Sequence, residues 1–121
     1  MLKHVLDQVI DLDRTFQALA DSSRRSMVER LTLGPASVSE LAQPLAMTLA
    51  AVVQHVQVLE SAGLVTTQKI GRVRTVQVDP AGLRAAEAWL TARRTRVERQ
   101  LDRLGALLAE PTSGSSTPEE E

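Results

Sequence analysis

The sequence predicts a mainly α-helical protein with a small β-hairpin, its elements ordered α-α-α-α-α-β-β-α. Three observations carry this. Apolar residues recur at helical spacing along most of the chain. One stretch, residues 64–79, switches to Val, Ile and Thr around a Gly-Arg pair. Between segments, Pro or Gly falls where a helix must stop.

Leu2, Val5, Leu6, Val9 and Ile10 share one face of a first helix over 2–11. A second helix, roughly 12–20, turns Phe16, Leu19 and Ala20 inward. Asp21 is placed to N-cap a third that runs through Leu33, burying Met27, Val28 and Leu31 before Gly34-Pro35 stops it. Ser37-Val38-Ser39-Glu40 has the spacing of a capping box, in which Ser37 accepts from the backbone of Glu40 and the Glu40 carboxylate reaches back. The helix it opens is anchored by Leu41 and Leu45. It is short, because Pro44 clashes with continuation and restricts Gln43.

Thr48 is the next N-cap, for a helix over 48–62, and Met47 with Val52 has the spacing of a hydrophobic staple. Two helices joined by about three residues have the arrangement of a helix-turn-helix. Gly63 closes the second as a left-handed C-cap. Leu64–Ile70 and Val73–Asp79 then pair around Gly71-Arg72, with Lys69, Arg72 and Arg74 about the tip. Pro80 begins a long helix with Leu83, Ala86, Leu90, Val97, Leu101, Leu104 and Leu108 on one side. Helices, hairpin and terminal helix together define a winged helix-turn-helix over 1–109, followed by a disordered acidic tail over 110–121.

Composition narrows the function. With 121 residues there is room for a single core, and with only Phe16 and Trp89 aromatic that core is aliphatic. Cysteine is absent, which removes disulfides, thiolate metal sites and cysteine nucleophiles. No apolar run approaches the ~20 residues of a membrane span and no signal-peptide core is present, so a cytoplasmic protein without membrane contact is expected. The two His residues lie in separate helices without a paired nucleophile and acid. No phosphate-binding glycine loop or zinc motif appears either, so neither enzyme nor cofactor is expected. The net charge is -1, but Glu110, Glu119, Glu120 and Glu121 all fall in the tail while all 14 basic residues precede it. Residues 1–109 are therefore net positive, which is compatible with DNA and too weak for binding by bulk charge alone.

Leu49, Val52, Val53, Val56 and Leu59 form the apolar stripe of the 48–62 helix. Ala50, Ala51, Gln54, His55 and Gln57 fall on its other faces. Small residues let a helix approach a surface closely, and Gln can pair both edges of its amide with adenine in a major groove. Gln54 and Gln57 are the base-edge candidates, Ala50 and Ala51 can meet a thymine methyl, and Thr48 with the helix N-terminus suits a phosphate. His55 has two readings, a phosphate contact or an internal hydrogen bond that fixes the turn. Lys69, Arg72 and Arg74 suit phosphate or minor-groove contact; the plainer reading is a hairpin kept soluble by charge. Arg24 and Arg25 sit near a helix start, where the dipole disfavours cations. That placement points either to an external anion or to salt bridges with Glu29 or Asp21.

The run Phe16 to Arg25, then Val38 to Ala42, Ala51 to Val56, Leu59 to Val65 and Gly71-Arg72, resembles the ArsR family of bacterial repressors over about residues 12–79. The resemblance implies a dimeric, sequence-specific DNA-binding repressor with the 48–62 helix in the major groove. It also exposes departures. The family commonly has Pro-Thr at Ser22-Ser23, Ser at Val53, Leu at Val56 and Tyr near Val76. Many members bind metal through a Cys-x-Cys-like motif where this chain has Ser37, Val38, Ser39 and Glu40, or through Asp and His on the terminal helix. Here no His follows His55, so no metal-sensing role is carried over.

The first and last helices have more apolar surface than a small winged domain covers. Leu2, Val5, Leu6, Val9, Leu90, Val97, Leu101 and Leu104 are therefore expected in a homodimer interface that sets two reading helices about one DNA turn apart. Arg93, Arg94, Arg96 and Arg99 read as the solvated face of the last helix. His4 with Asp7 and Asp11 is a weak metal pattern of a kind that arises by chance. An effector, if used, would be a small apolar molecule near Trp89 or a partner protein. The competing class is a winged-helix module that binds protein and has lost DNA binding, favoured by the net acidity and Val53.

Overall fold

A computed structural model describes residues 12–109. The helix expected over 2–11, with Leu2, Val5, Leu6 and Val9 and the pattern His4, Asp7 and Asp11, lies outside the described residues, as does the tail over 110–121. The elements are α1 (12–19), α2 (Ser22–Leu31), β1 (Ala36–Ser37), α3 (Val38–Ala42), a 3-10 turn (Gln43–Leu45), α4 (Leu49–Ser61), β2 (Val65–Ile70), β3 (Val73–Val78) and α5 (Pro80–Ala109). They fall into two units, one ending at Ala86 and one beginning at Glu87.

Side-chain caps set most boundaries in the first unit. The Asp21 carboxylate accepts from the Arg24 amide at 3.1 Å and opens α2. Ser37 and Glu40 form the full reciprocal box, with the Ser37 amide donating to Glu40 Oε1 at 2.8 Å and the Glu40 amide to Ser37 Oγ at 3.1 Å. Thr48 Oγ1 accepts from the Ala51 amide at 3.2 Å and opens α4. Asp79 does the same for α5, accepting from the Ala81 amide at 3.1 Å ahead of Pro80 at the first helical position.

The end of α4 is a complete Schellman motif. The Leu64 amide donates to the Leu59 carbonyl and the Gly63 amide to the Glu60 carbonyl, each at 3.0 Å, with Gly63 left-handed at φ 77°. Leu59 and Leu64, the two residues such a motif brings together, are both fully buried. Thr15 adds a tertiary cap by donating its buried hydroxyl to the Ala62 carbonyl at 3.2 Å.

The sheet has three strands, in the order β1-β3-β2, all antiparallel. The sequence predicts only the hairpin. The third strand is two residues long, pairing Ala36 with Val76 and Ser37 with Thr75. At that length it has no alternation to read, and its partners lie far along the chain. It ties the start of the helix-turn-helix directly to the wing.

Met27, Leu31, Leu41, Val52, Val56, Leu59, Leu64 and Val76 form the centre of the core. Three expectations are corrected. In α1 the inward residues are Thr15 and Ala18, while Phe16 and Ala20 are exposed and Leu19 is half-buried. The small inward side chains let α1 approach the end of α4 closely enough for the Thr15 bond. α2 ends at Leu31, short of Leu33, because the Leu33 and Gly34 amides turn back onto the Arg30 and Leu31 carbonyls. Leu49 does not join the buried stripe, because at the first position of α4 it stands proud of the core, 54% exposed.

Candidate nucleic-acid interface

The path from α3 to α4 is fixed by backbone chemistry. α3 stops at Ala42, Pro44 sits in the first turn of the 3-10 segment, and Ala46 takes a left-handed φ of 52°. Leu45 and Met47 pack against the core on either side of that turn. Val52, Val56 and Leu59 seat α4 inward. The same periodicity leaves Ala50, Gln54, Gln57 and Ser61 exposed along the opposite side. Gln54 and Gln57 therefore stand where the sequence reading placed them. Ala51 is half-buried beside the Thr48 cap. Thr48 spends a lone pair on that cap, and its exposed hydroxyl retains a proton to donate.

His55 is half-buried, with Nδ1 3.3 Å from a guanidinium nitrogen of Arg24. The same guanidinium donates from Nε to the Ala18 carbonyl at 2.7 Å and from its other terminal nitrogen to the Gln17 carbonyl at 3.2 Å. Arg25 donates to the Leu19 carbonyl at 2.8 Å. Both arginines thus sit at the carboxyl end of α1, where the dipole favours a cation and orphan carbonyls need donors. Their partners in these bonds are helix-end carbonyls and His55, in place of the Asp21 or Glu29 carboxylates. Arg24, Gln54, His55, Gln57 and Val58 line one shallow concavity on this side of α4.

Across the helix, a second concavity of about 490 Å³ joins α4 to the wing. Leu49, Val53 and Gln57 line it from α4, and Lys69, Arg72, Val73 and Arg74 from the hairpin. The hairpin turns through Gly71 and Arg72, with Gly71 at φ 64°. Its register sets Lys69 directly against Arg74. Like charges so placed repel, and no acidic residue lies within 65–78 to relieve them. Val53 packs against the core as the stripe predicts and also borders this surface, whereas Leu49 protrudes at the first turn, which nothing in the periodicity distinguishes.

Two carboxylates support the scaffold. Glu40 is held below its ordinary value by the Ser37 backbone hydrogen bond and then by the Ser37 hydroxyl. Asp21 is lowered first by its backbone bond to Arg24. In α5, Leu90, Val97, Leu101 and Leu104 each leave half or more of their surface uncovered within the chain. Arg93 is not merely solvated, since its guanidinium lies 4.4 Å from the centre of the Trp89 ring. Among the described residues, no three His, Cys, Asp or Glu groups gather as a metal site, and no helix is long and apolar enough to cross a membrane.

A helix presented between a capped turn and a basic antiparallel wing defines a winged helix-turn-helix DNA-binding domain. Comparison with known proteins agrees. Residues 19–68 match a family profile described as a helix-turn-helix domain. The HTH-type transcriptional regulator Rv2034 of Mycobacterium tuberculosis is 51% identical over 73 residues, which is 60% of this chain and 68% of that protein. The crystal structure of an ArsR family transcriptional regulator is 44% identical, covering 73% of this chain and 91% of that one with a TM-score of 0.69. The homodimeric winged helix-turn-helix DNA-binding domain Mb0332 of Mycobacterium bovis is 26% identical, covering 81% and 86% of the two chains with a TM-score of 0.58. The chain belongs to the ArsR family of winged-helix transcriptional regulators.

Proposed function

We propose that the protein is a homodimeric repressor that binds a palindromic operator in the cytoplasm. α4 would enter the major groove, Gln54 and Gln57 would pair with base edges, and Lys69, Arg72 and Arg74 would hold phosphates. Thr48 and His55 would contact the backbone from the two flanks of the helix. The observation that carries this reading is the pairing of an exposed amide face on α4 with the like-charged Lys69–Arg74 cross-strand pair beside it. An anion along that edge relieves the repulsion while the amides face the bases. The homodimeric neighbour and the uncovered apolar side of α5 support two-fold assembly.

A gel-shift titration across the protein's own promoter tests the proposal. Specific binding that weakens steeply with salt is expected. Replacing Gln54 and Gln57 by Ala should relax sequence preference at about 1–3 kcal/mol per lost bidentate pair. Undetectable affinity for duplex DNA at low salt would instead favour a protein-binding module.

A further inference from the structure

α4 presents apolar surface on the side where it meets the wing. Leu49 is 54% exposed, Val53 is half-buried one turn further on, and Val73 of the wing is 52% exposed opposite them. With Gln57, Arg72 and Arg74 they line the same concavity. An apolar floor beneath a cationic rim fits a ligand charged along its edges with apolar groups projecting between them. Duplex DNA has this form: phosphates flank the major groove, and of the four bases only thymine presents a methyl there.

Charged groups for the other bases are few on α4. α4 has no Lys or Arg for guanine. Its one acid, Glu60, accepts the Thr67 hydroxyl of β2 at 3.0 Å through one carboxylate oxygen. Arg24, the cation bordering the other flank, is committed to Gln17, Ala18 and His55. An A·T pair shows adenine N7 and N6, then thymine O4 and methyl, side by side. An amide and an aliphatic group on adjacent rows of one helix match that sequence of groups.

Building on the DNA-binding reading, we propose that Leu49 and Val53 form a methyl-reading wall that selects thymine beside the bases engaged by Gln57 and Gln54.

The test uses the full chain and duplexes it enriches from a randomised library. Each thymine of an enriched half-site is replaced in turn by deoxyuridine, which removes only the methyl. At one or two positions affinity should fall roughly fourfold, about 0.8 kcal/mol for one methyl-sized group. Leu49→Ala, at an exposed position, should shrink that difference without abolishing it, because Val53 and the alanine methyl remain. An enriched half-site without thymine, uracil tolerated everywhere, or an unchanged thymine preference in Leu49→Ala would each overturn the wall while leaving DNA binding intact. Failure to enrich any duplex would overturn the DNA-binding reading and the wall together.

Discussion

A guanidinium nitrogen of Arg24 lies 3.3 Å from Nδ1 of His55, while the rest of that guanidinium is bound to the last carbonyls of α1. A guanidinium can only donate, so Nδ1 accepts and the proton of the neutral ring stands on Nε2. Of the two readings of His55 from sequence, the internal hydrogen bond is the one the structure contains. That bond fixes the tautomer and leaves Nε2–H as the one donor of the ring.

Arg24→Met keeps much of the aliphatic stem and removes every donor. Two helix-end carbonyls and the imidazole lose their partner, which should destabilise the fold by about 1–3 kcal/mol in urea denaturation. Nitrogen NMR of the His55 ring should at the same time change from the single Nε2–H tautomer to a mixture. A tautomer population unaffected by the substitution would show that Arg24 does not set it.

Gly82 in the first turn of α5 meets the backbone of Gly63, and a Cβ built there would overlap the Gly63 carbonyl oxygen. Neither partner is a side chain that can swing aside. Gly82→Ala should therefore lower stability by about 1–3 kcal/mol, outweighing the helix propensity alanine normally brings. The urea midpoint should fall with an unchanged slope.

Acid should loosen the helix-turn-helix through its caps. Glu40 and Asp21 are both held below their ordinary carboxylate values of 4.5 and 3.8, so the folded state favours their ionised forms. That stabilisation is complete above those values and is lost as pH falls through the lowered ones. Glu40→Gln can still accept from the Ser37 amide but cannot titrate. Its stability should consequently fall less steeply below pH 4.5 than that of the parent.

On the wing, stability and binding should move in opposite directions. Lys69→Thr removes the repulsion against Arg74 and places a good strand former there, so a gain of a few tenths of a kcal/mol is expected. The same change should weaken operator binding and reduce the slope of log affinity against log salt by about 0.9 for one lost phosphate contact. A variant with full affinity and an unaltered slope would assign Lys69 to solubility alone.

What the sequence made legible was local. Asp21, the Ser37–Glu40 box, Thr48 and Gly63 act on backbone groups within a few residues, so their patterns fix the helix ends wherever the chain goes. What it hid depends on distant partners. β1 exists only because β3 passes beside Ala36, and the carbonyls that hold Arg24 and Arg25 belong to the preceding helix. The phase of α1 was misread because Phe16 is the more apolar residue, whereas packing selects Thr15 for its hydroxyl and Ala18 for its size. Gln54 and Gln57 were legible by subtraction from the buried stripe. Leu49 was not, since exposure at a helix start depends on what surrounds it.

The uncovered side of α5 gives a prediction about assembly. Leu90, Val97, Leu101 and Leu104 recur at helical spacing and remain exposed, whereas Arg96 lies on the other side of the same helix. In a two-fold interface each substitution acts twice, once from each copy. Burying Leu101 contributes about 1.5–3 kcal/mol per side, and a carboxylate there adds a desolvation cost. Leu101→Glu should therefore weaken self-association at least about a hundredfold, read by sedimentation equilibrium as a shift from dimer to monomer. Operator affinity should fall with it, because a monomer engages one half-site and forgoes the second. Arg96→Gln should leave the sedimentation unchanged. If Leu101→Glu sedimented like the parent, the apolar side of α5 would not be the dimer surface.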